Sequence, residues 1–276
     1  MPKREITIAH SPDSDDAFMF YALATNKVES PNLAFVHHLA DIETLNRQAR
    51  EGVWDVTAIS FHALPYISNH YALLPCGASM GDGYGPLLVS SHRLSPDQLR
   101  GKRIAVPGTL TTAYLLMKIF QPDFIPVITR FDEIVGAVKG DRVDAGLLIH
   151  EGQLTFGRDG LHRVVDLGQW WKQQHGLPLP LGGNAIRKEL RGPVGDEIAT
   201  AIRRSVQYAL DFRPQAMTYA LQFARDMDPD LADRFVGMYV NDYTLDYGPR
   251  GRQAVTKLLE LGYEKGVITQ KPQVEF

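Results

Sequence analysis

A histidine at the end of an apolar run is the residue best placed in this sequence to move a proton. Residues 145–149 are all apolar or glycine and predict a buried strand that ends at His150. Ligands of α/β proteins bind beyond the carboxyl ends of the strands, so His150 is a candidate general base. Glu151 would orient the ring only if the chain turned directly after His150, because successive strand residues face opposite ways. The alternative is a histidine without chemistry, which we expect for most of the nine.

Two polar loops have the same placement, each between a predicted strand and a predicted helix. Residues 11–16 read SPDSDD, and residues 107–112 read PGTLTT. Free amides at a helix N-terminus can hold a carboxylate or a phosphate, so both loops are candidate anion sites. The alternative is a pair of helix caps, with Asp15 or Asp16 capping the first helix. The aspartates do not predict a metal site, since no second carboxylate cluster accompanies them.

Ser60 closes a third strand, over residues 56–60, and enters a further predicted helix. Its hydroxyl is expected either to bind a ligand or to cap that helix, and the cap is the commoner role. The glycine-rich residues 81–86 precede a strand instead of following one, which argues against a dinucleotide site. The sequence has no phosphate-binding loop, no nucleophile elbow and no zinc-protease motif.

The elements that must position these residues alternate regularly. The order strand, helix, strand, helix, strand occurs over residues 5–60 and again over residues 102–150, which is typical of parallel sheets covered by helices. Four helices are predicted after residue 195. We therefore predict an α/β fold of two domains with a ligand cleft between them. One domain comprises residues 1–91 and 183–276, and residues 92–182 form an inserted second domain.

Composition excludes several classes of protein. The 276 residues include 29 Lys and Arg against 32 Asp and Glu, so no basic excess indicates nucleic-acid binding. Cys76 is the one cysteine and cannot form an intrachain disulfide. No stretch resembles a secretory signal or a membrane span. These features predict a cytoplasmic protein with no membrane partner, and leave its oligomeric state open.

Seven segments in order resemble one enzyme family. They are SPDSDDAFMFYAL (11–23), DIETLN (41–46), DVTAISFHA (55–63), GYGPLLV (83–89), RIAVPGTLTTAYLL (103–116), DAGLLIHEGQLTF (144–156) and LPLPLGGNAI (177–186). Together they are similar to the 1,4-dihydroxy-6-naphthoate synthases of the futalosine route to menaquinone. The resemblance spans nearly the whole chain. Two features depart from it: Ala58 stands where the family often has a lysine, and residues 13–15 differ from a common Cys-Pro-Asn.

The resemblance implies a fold, a reaction and a set of site residues. The fold is that of type 2 periplasmic binding proteins, and the reaction cleaves cyclic dehypoxanthinylfutalosine to 1,4-dihydroxy-6-naphthoate and dihydroxyacetone without cofactor or metal. The substrate is a small carboxylate. His150 is implied as the proton acceptor, and the implied substrate-binding residues are Asp16, Asn46, Ser60, Thr111 and Thr112. Two alternatives stay open, a chorismate dehydratase of the same route and a solute-binding protein for a small organic anion.

Overall fold

Two β-sheets, each covered by helices, form the framework of the protein. The computed structural model describes residues 2–224 and 227–276. Within those residues the strands are β1 (Arg4–His10), β2 (Leu33–Leu39), β3 (Val56–Ser60), β4 (Tyr71–Leu73), β5 (Ser79–Gly81), β6 (Leu87–Ser90), β7 (Arg103–Val106), β8 (Ile125–Ile128), β9 (Ala145–Leu148), β10 (His162–Asp166) and β11 (Leu179–Arg187). The first sheet has the order β2-β1-β3-β11-β4, with β5 also paired to β11. The second sheet has the order β10-β6-β9-β7-β8.

Helices account for most of the remaining chain. In the described residues they are α1 (Ser14–Ala24), α2 (Ile42–Arg50), α3 (Leu64–Ile67), α4 (Thr112–Phe120), α5 (Ile134–Lys139), α6 (Gly152–Thr155), α7 (Leu167–His175), α8 (Pro193–Asp211), α9 (Arg213–Ala220), α10 (Pro229–Tyr239), α11 (Asp242–Leu245) and α12 (Gly248–Glu264). None of them is both long and apolar enough to cross a membrane.

The predicted alternation of strands and helices is confirmed. Strands β1, β2 and β3 pair in parallel, as do β7, β8 and β9, so each series brings its strand carboxyl ends to one edge. The helix predicted over residues 61–69 is instead a 3₁₀ turn (Phe61–Ala63) followed by the short α3. Strands β4 and β5 were not predicted, because each has only three residues and exists through its pairing with β11.

The chain passes between the sheets at two places. It leaves the first sheet after β5, which ends at Gly81, and it joins the second at β6, which begins at Leu87. It returns between β10 and β11. Both crossings come earlier in the chain than the predicted boundaries at residues 91 and 183. Strand β6 already pairs with β9 and β10 of the second sheet, and β11 already pairs with the first sheet at Leu179. The division into two domains stays a prediction, and these pairings favour boundaries nearer residues 82–86 and 178.

The sequence predicts the first helix over residues 17–24, and α1 begins three residues earlier, at Ser14. Its N-cap residue is Asp13, in extended conformation, so neither Asp15 nor Asp16 caps it. The side chain of Asp13 makes no capping hydrogen bond. By contrast, α2 spans residues 42–50, as the sequence predicts. It has an ordinary cap, in which Asp41 accepts the Thr44 amide at 3.0 Å. The first sheet and α1 share a core with α8, α9 and α10, and nearly every residue of α1 after Asp16 is buried in it.

Gly146 provides a test of packing in the second sheet. A Cβ added at Gly146 in β9 would lie 2.6 Å from Ile134 and 2.7 Å from Val138, both fully buried in α5. We expect Gly146→Ala to lower the free energy of unfolding by about 1–3 kcal/mol, because the methyl group overpacks that contact. Denaturant unfolding followed by circular dichroism measures the change.

Gly136 supplies the matched control. It lies in α5 itself, and a Cβ there meets no atom within 4 Å. Gly136→Ala should leave stability unchanged or raise it by up to about 1 kcal/mol, because alanine favours the helix. Equal effects of the two substitutions would contradict the packing described for β9 and α5.

Candidate functional site

A cavity of about 780 Å³ lies where the ends of strands from both sheets meet. Asp16, Ser60, Thr111, Thr112 and His150 all line it. The first sheet, including β11, contributes further lining residues, and so do α10 and the loops of the second sheet. The remaining lining residues are Ser11, Asp15, Ile42, Ala58, Ile59, Gly77, Ser79, Pro86, Ala113, Ile149, Gln153, Leu181, Gly182, Gly183, Asn184, Phe235 and Tyr239. Five of the six predicted site residues are therefore brought together, from positions far apart in the sequence.

His150 lies in a turn, not on the strand. Strand β9 ends at Leu148, and His150 has a φ of +57°, in the left-handed region that residues other than glycine seldom adopt. Its Nδ1 lies 3.3 Å from Oδ2 of Asp13 in the loop after β1. The His150 side chain is 17% exposed, and the Asp13 side chain is 6% exposed. The edge of the Phe131 ring contacts the imidazole, with ring centroids 5.0 Å apart.

Gln153 holds the backbone of this turn. When its amide is oriented so that both ends find partners, its oxygen accepts the His150 backbone N–H at 3.1 Å and its nitrogen donates to Gly85 O at 2.6 Å. The Tyr239 hydroxyl contacts the same amide at 2.7 Å. Sequence reasoning missed Gln153, although its position three residues after a candidate base was a usable signal.

The aspartates of the first loop are less charged than their number indicates. Asp16 accepts the Ser11 amide at 2.7 Å. Burial raises the pKa of Asp16 to about 6, against the opposing effect of that hydrogen bond and with a further increase from the charge of Asp13. Burial, followed by the charges of Asp16 and Asp13, raises the pKa of Asp15 well above its usual range. The loop therefore opposes an anionic ligand much less than three free carboxylates would.

Ser60 is held by Asn46. The Ser60 amide donates to Asn46 Oδ1 at 2.8 Å, and Asn46 Nδ2 donates to Ser60 Oγ at 3.1 Å. The Ser60 side chain makes no capping hydrogen bond, so the predicted alternative of a helix cap is not what the structure contains. Because Oγ accepts from Asn46, its own proton stays available for a ligand in the cavity. Asn46 is fully buried behind Ser60 and does not line the cavity.

Thr111 and Thr112 use their hydroxyls within the protein. Thr111 Oγ1 donates to Gly108 O at 2.8 Å and caps α4 by accepting the Tyr114 amide at 3.2 Å. Thr112 Oγ1 donates to Leu181 O at 2.6 Å, which fastens α4 to β11. The predicted cap is therefore present, and the loop also brings the N-terminus of α4 to the cavity, where anion binding stays a prediction. The first backbone amides of a helix have no acceptor within it, so they are suited to an anion.

Asn184 is a further polar residue of the cavity that sequence reasoning missed. Its Nδ2 donates to Gly77 O at 3.1 Å, while its Oδ1 is buried and without a partner. Gly77 has a φ of +78°, and a Cβ there would lie 2.2 Å from the Asn184 nitrogen, so only glycine permits this approach. A polar residue inside the otherwise apolar β11 was the available signal.

No lysine or arginine is among the described residues that line the cavity. Ala58, which occupies the position where the resembling family often has lysine, is one of those lining residues. Across residues 2–224 and 227–276, no three His, Cys, Asp or Glu side chains are grouped so that they could hold a metal ion.

The fold is that of periplasmic binding proteins. A Candida albicans protein described as having the generic periplasmic-binding-protein fold matches with a TM-score of 0.67 at 12% identity, covering 100% of this chain and 98% of that one. An Archaeoglobus fulgidus protein of known crystal structure is more similar, with a TM-score of 0.92 and 48% identity over 96% of this chain and 98% of its own.

Within that fold the chain belongs to the menaquinone biosynthesis family, whose sequence profile matches residues 6–264. Two curated relatives are named 1,4-dihydroxy-6-naphthoate synthase. The relative from Streptomyces coelicolor is 39% identical over 269 residues, covering 95% of this chain and 94% of its own. The relative from Thermus thermophilus is 39% identical over 271 residues, covering 98% of each. The predicted fold and family are thus confirmed.

The raised pKa of Asp16 predicts a pH-dependent stability. A carboxyl group with a pKa raised to about 6 in the folded protein favours folding below its ordinary value of 3.8, and that contribution is lost as the pH rises through 6. Asp16→Asn removes the charge and keeps an oxygen for the Ser11 amide. We expect Asp16→Asn to raise the thermal unfolding midpoint at pH 8 and to have little effect at pH 4.

Asp97 is the control for this comparison, because it is an exposed aspartate in the 3₁₀ turn Pro96–Leu99. Asp97→Asn should change the unfolding midpoint equally at the two pH values. A gain from Asp16→Asn that is the same at pH 4 and pH 8 would contradict the buried charge assigned to Asp16.

Proposed function

We propose that the chain catalyses the reaction for which its two curated relatives are named. It forms 1,4-dihydroxy-6-naphthoate from cyclic dehypoxanthinylfutalosine, with dihydroxyacetone as the second product, and is therefore a carbon–carbon lyase of menaquinone biosynthesis. One observation carries the proposal: a candidate base from the second sheet, His150, shares a single cavity with Ser60 from the first sheet and the N-terminus of α4.

The chemistry requires a base and donors for a developing anion. A retro-aldol-type fragmentation begins with loss of a proton, breaks one carbon–carbon bond and ends in an aromatic diol, with no net oxidation or reduction. His150 removes the proton and returns it to a product. A positioned acid–base group of this kind accelerates a reaction by about 10²–10⁴, and fixed donors near the anion add a comparable factor.

The substrate carboxylate is held without a cation in this proposal. Because no lysine or arginine is among the described lining residues, the donors offered to a carboxylate are the first amides of α4 and the Ser60 hydroxyl. The raised pKa of Asp15 lessens the repulsion of an anion.

The two alternative functions receive less support. Both curated relatives that match nearly the full chain carry the synthase name, and neither is named as a chorismate dehydratase. The likeness to periplasmic binding proteins is one of fold, at 12% identity for the Candida albicans protein, and one fold hosts both carriers and enzymes. A location in the cytoplasm, where a biosynthetic enzyme would meet its substrate, remains part of the proposal, as does independence from cofactors and metals.

Substitution of the base tests the reaction directly. Purified, chelator-treated protein is mixed with cyclic dehypoxanthinylfutalosine, and release of dihydroxynaphthoate is followed by mass spectrometry. We expect turnover by the unaltered protein and a loss of at least about 10² in kcat for His150→Ala, with substrate binding retained. His92→Ala, which changes an exposed histidine far from the cavity, is the control.

The outcomes separate the candidates. Near-normal turnover by His150→Ala would remove His150 from the mechanism. Tight substrate binding with no product, even from the unaltered protein, would instead favour a carrier.

Ser60 tests the binding of the carboxylate. Ser60→Ala removes a hydroxyl group that lines the cavity and whose proton is not used in the hydrogen bond with Asn46. A hydrogen bond to a charged group contributes about 1.5–3 kcal/mol, so KM should rise roughly 10- to 100-fold. Ser68→Ala, at the far end of the same helical segment, serves as the control. An unchanged KM for Ser60→Ala would exclude a contact between this hydroxyl and the substrate.

A further inference from the structure

The contact between Asp13 and His150 joins a loop of the first sheet to a loop of the second sheet beside the cavity. Asp13 follows β1 in the first sheet and His150 follows β9 in the second, and Asp13 Oδ2 lies 3.3 Å from His150 Nδ1. Both side chains are largely buried. A carboxylate in such a place needs a partner, because burial without one is strongly unfavourable. The pair is thus a built feature beside the cavity, which His150 lines.

Asp13 forms this contact in place of an ordinary helix cap. Aspartate at an N-cap position usually accepts a hydrogen bond from an amide of the first helical turn. Asp13 has the extended backbone of an N-cap residue, with φ −103° and ψ 158°, yet its side chain makes no such bond. The carboxylate is directed to the imidazole instead, so the position is specialised for something other than helix stability.

The backbone of His150 is fixed as firmly as its ring. The left-handed φ of +57° is uncommon outside glycine and occurs mostly where the surroundings enforce it. Gln153 supplies one enforcing contact by accepting the His150 amide, and Phe131 limits the ring from another side. Asp13 and Phe131 contact the ring while Gln153 contacts the backbone, so both parts of His150 are held in place.

We infer that Asp13 is a positioning residue for His150. Its carboxylate lies beside Nδ1 and favours a proton on that nitrogen, which leaves Nε2 with a lone pair to receive the substrate proton. The negative charge also stabilises the imidazolium that forms after that transfer, as the carboxylate does in a serine protease triad. The inference rests on the proposed function of His150, and it assigns to Asp13 no contact with the substrate.

A purely structural role for the pair makes different predictions. If Asp13 only fastened the two loops together, its loss would lower stability and weaken substrate binding without a selective effect on turnover. A positioning role acts on kcat and on the titration of His150. The test therefore measures kcat, KM, thermal unfolding and the pKa of His150 on the same variants.

Two variants remove the carboxylate in different ways. Asp13→Asn is nearly isosteric, and Asp13→Ser restores a good capping side chain for α1 in case the asparagine variant folds poorly. For both we expect kcat to fall by about 10² or more while KM changes less than about threefold, as expected when binding is spared. The acidic limb of the kcat profile should move to lower pH, because His150 loses a neighbouring charge that favours its protonated form. Asp41→Asn, at the cap of α2, is the control and should keep a normal kcat.

Nuclear magnetic resonance of labelled histidine gives a readout that needs no substrate. The signal of His150 is identified by its absence from His150→Ala and titrated in each protein. The titration midpoint should be lower in Asp13→Asn and Asp13→Ser than in the unaltered protein. The other titratable groups around the cavity and the ring, Asp15, Asp16, Glu151 and Tyr239, are the same in all of these proteins.

The experiments can overturn the proposed reaction without overturning the role of Asp13, and the reverse. Absence of turnover by the unaltered protein would overturn the proposed reaction, while the titration would still decide whether Asp13 acts on His150. An unchanged titration midpoint in both Asp13 variants would overturn the inference, and so would an unchanged kcat in an enzyme that turns over. A lower midpoint together with a selective loss of kcat supports it.

Discussion

The contact between the Asp13 carboxylate and the His150 imidazole is the interaction on which the cavity depends. It forms only when the loop after β1 and the loop after β9 meet, so it sets the relative position of two sheet edges. A buried carboxylate is favourable beside such a partner and costly without it. The left-handed backbone of His150 adds a cost of about 1–3 kcal/mol, which the surrounding contacts must offset. Such an arrangement persists where the structure over-determines it, and here Gln153 and Phe131 share that task.

Much of the fold follows from local sequence patterns. The bounds of α2 and β3 were predicted to the residue, because a capped amphipathic helix and a continuous apolar strand carry their signals within a few positions. The short strands β4 and β5 carry no such signal, since their conformation comes from pairing with β11 about a hundred residues away. The points where the chain passes between the sheets carry no local signal for the same reason. An apolar strand such as β6 fits either sheet by its residues, and only its partners decide which.

The site was predictable where a residue's position in an element revealed its role. Ser60, Thr112 and His150 lie at or just beyond strand ends, and strands of one sheet deliver their ends to one edge. The residues that support them were harder to find. Asp13 resembled any polar residue before a helix, and Glu151 seemed the nearer partner for His150 by sequence alone. Asn46 was assigned to the substrate through a family resemblance, whereas its hydrogen bonds place it behind Ser60. Support of this kind arises from contacts between distant segments, which no short window of sequence contains.

The electrostatics of the cavity follow from where each carboxyl group is buried. Three aspartates beside a site for an anion would be unfavourable if all were ionised. Burial raises the pKa of Asp15 and Asp16, so the charge in this loop is smaller than its composition indicates. Asp13 has the imidazole beside it, and its charge is the one that His150 can use. The carboxylate that lies next to the base is therefore that of Asp13, where the loops after β1 and β9 meet. In the proposed function the Ser60 hydroxyl and the first amides of α4 receive the anion, and the described lining of the cavity includes no lysine or arginine. A binding protein of the same fold needs only such donors, so the proton-accepting pair is what would make this cavity an active site.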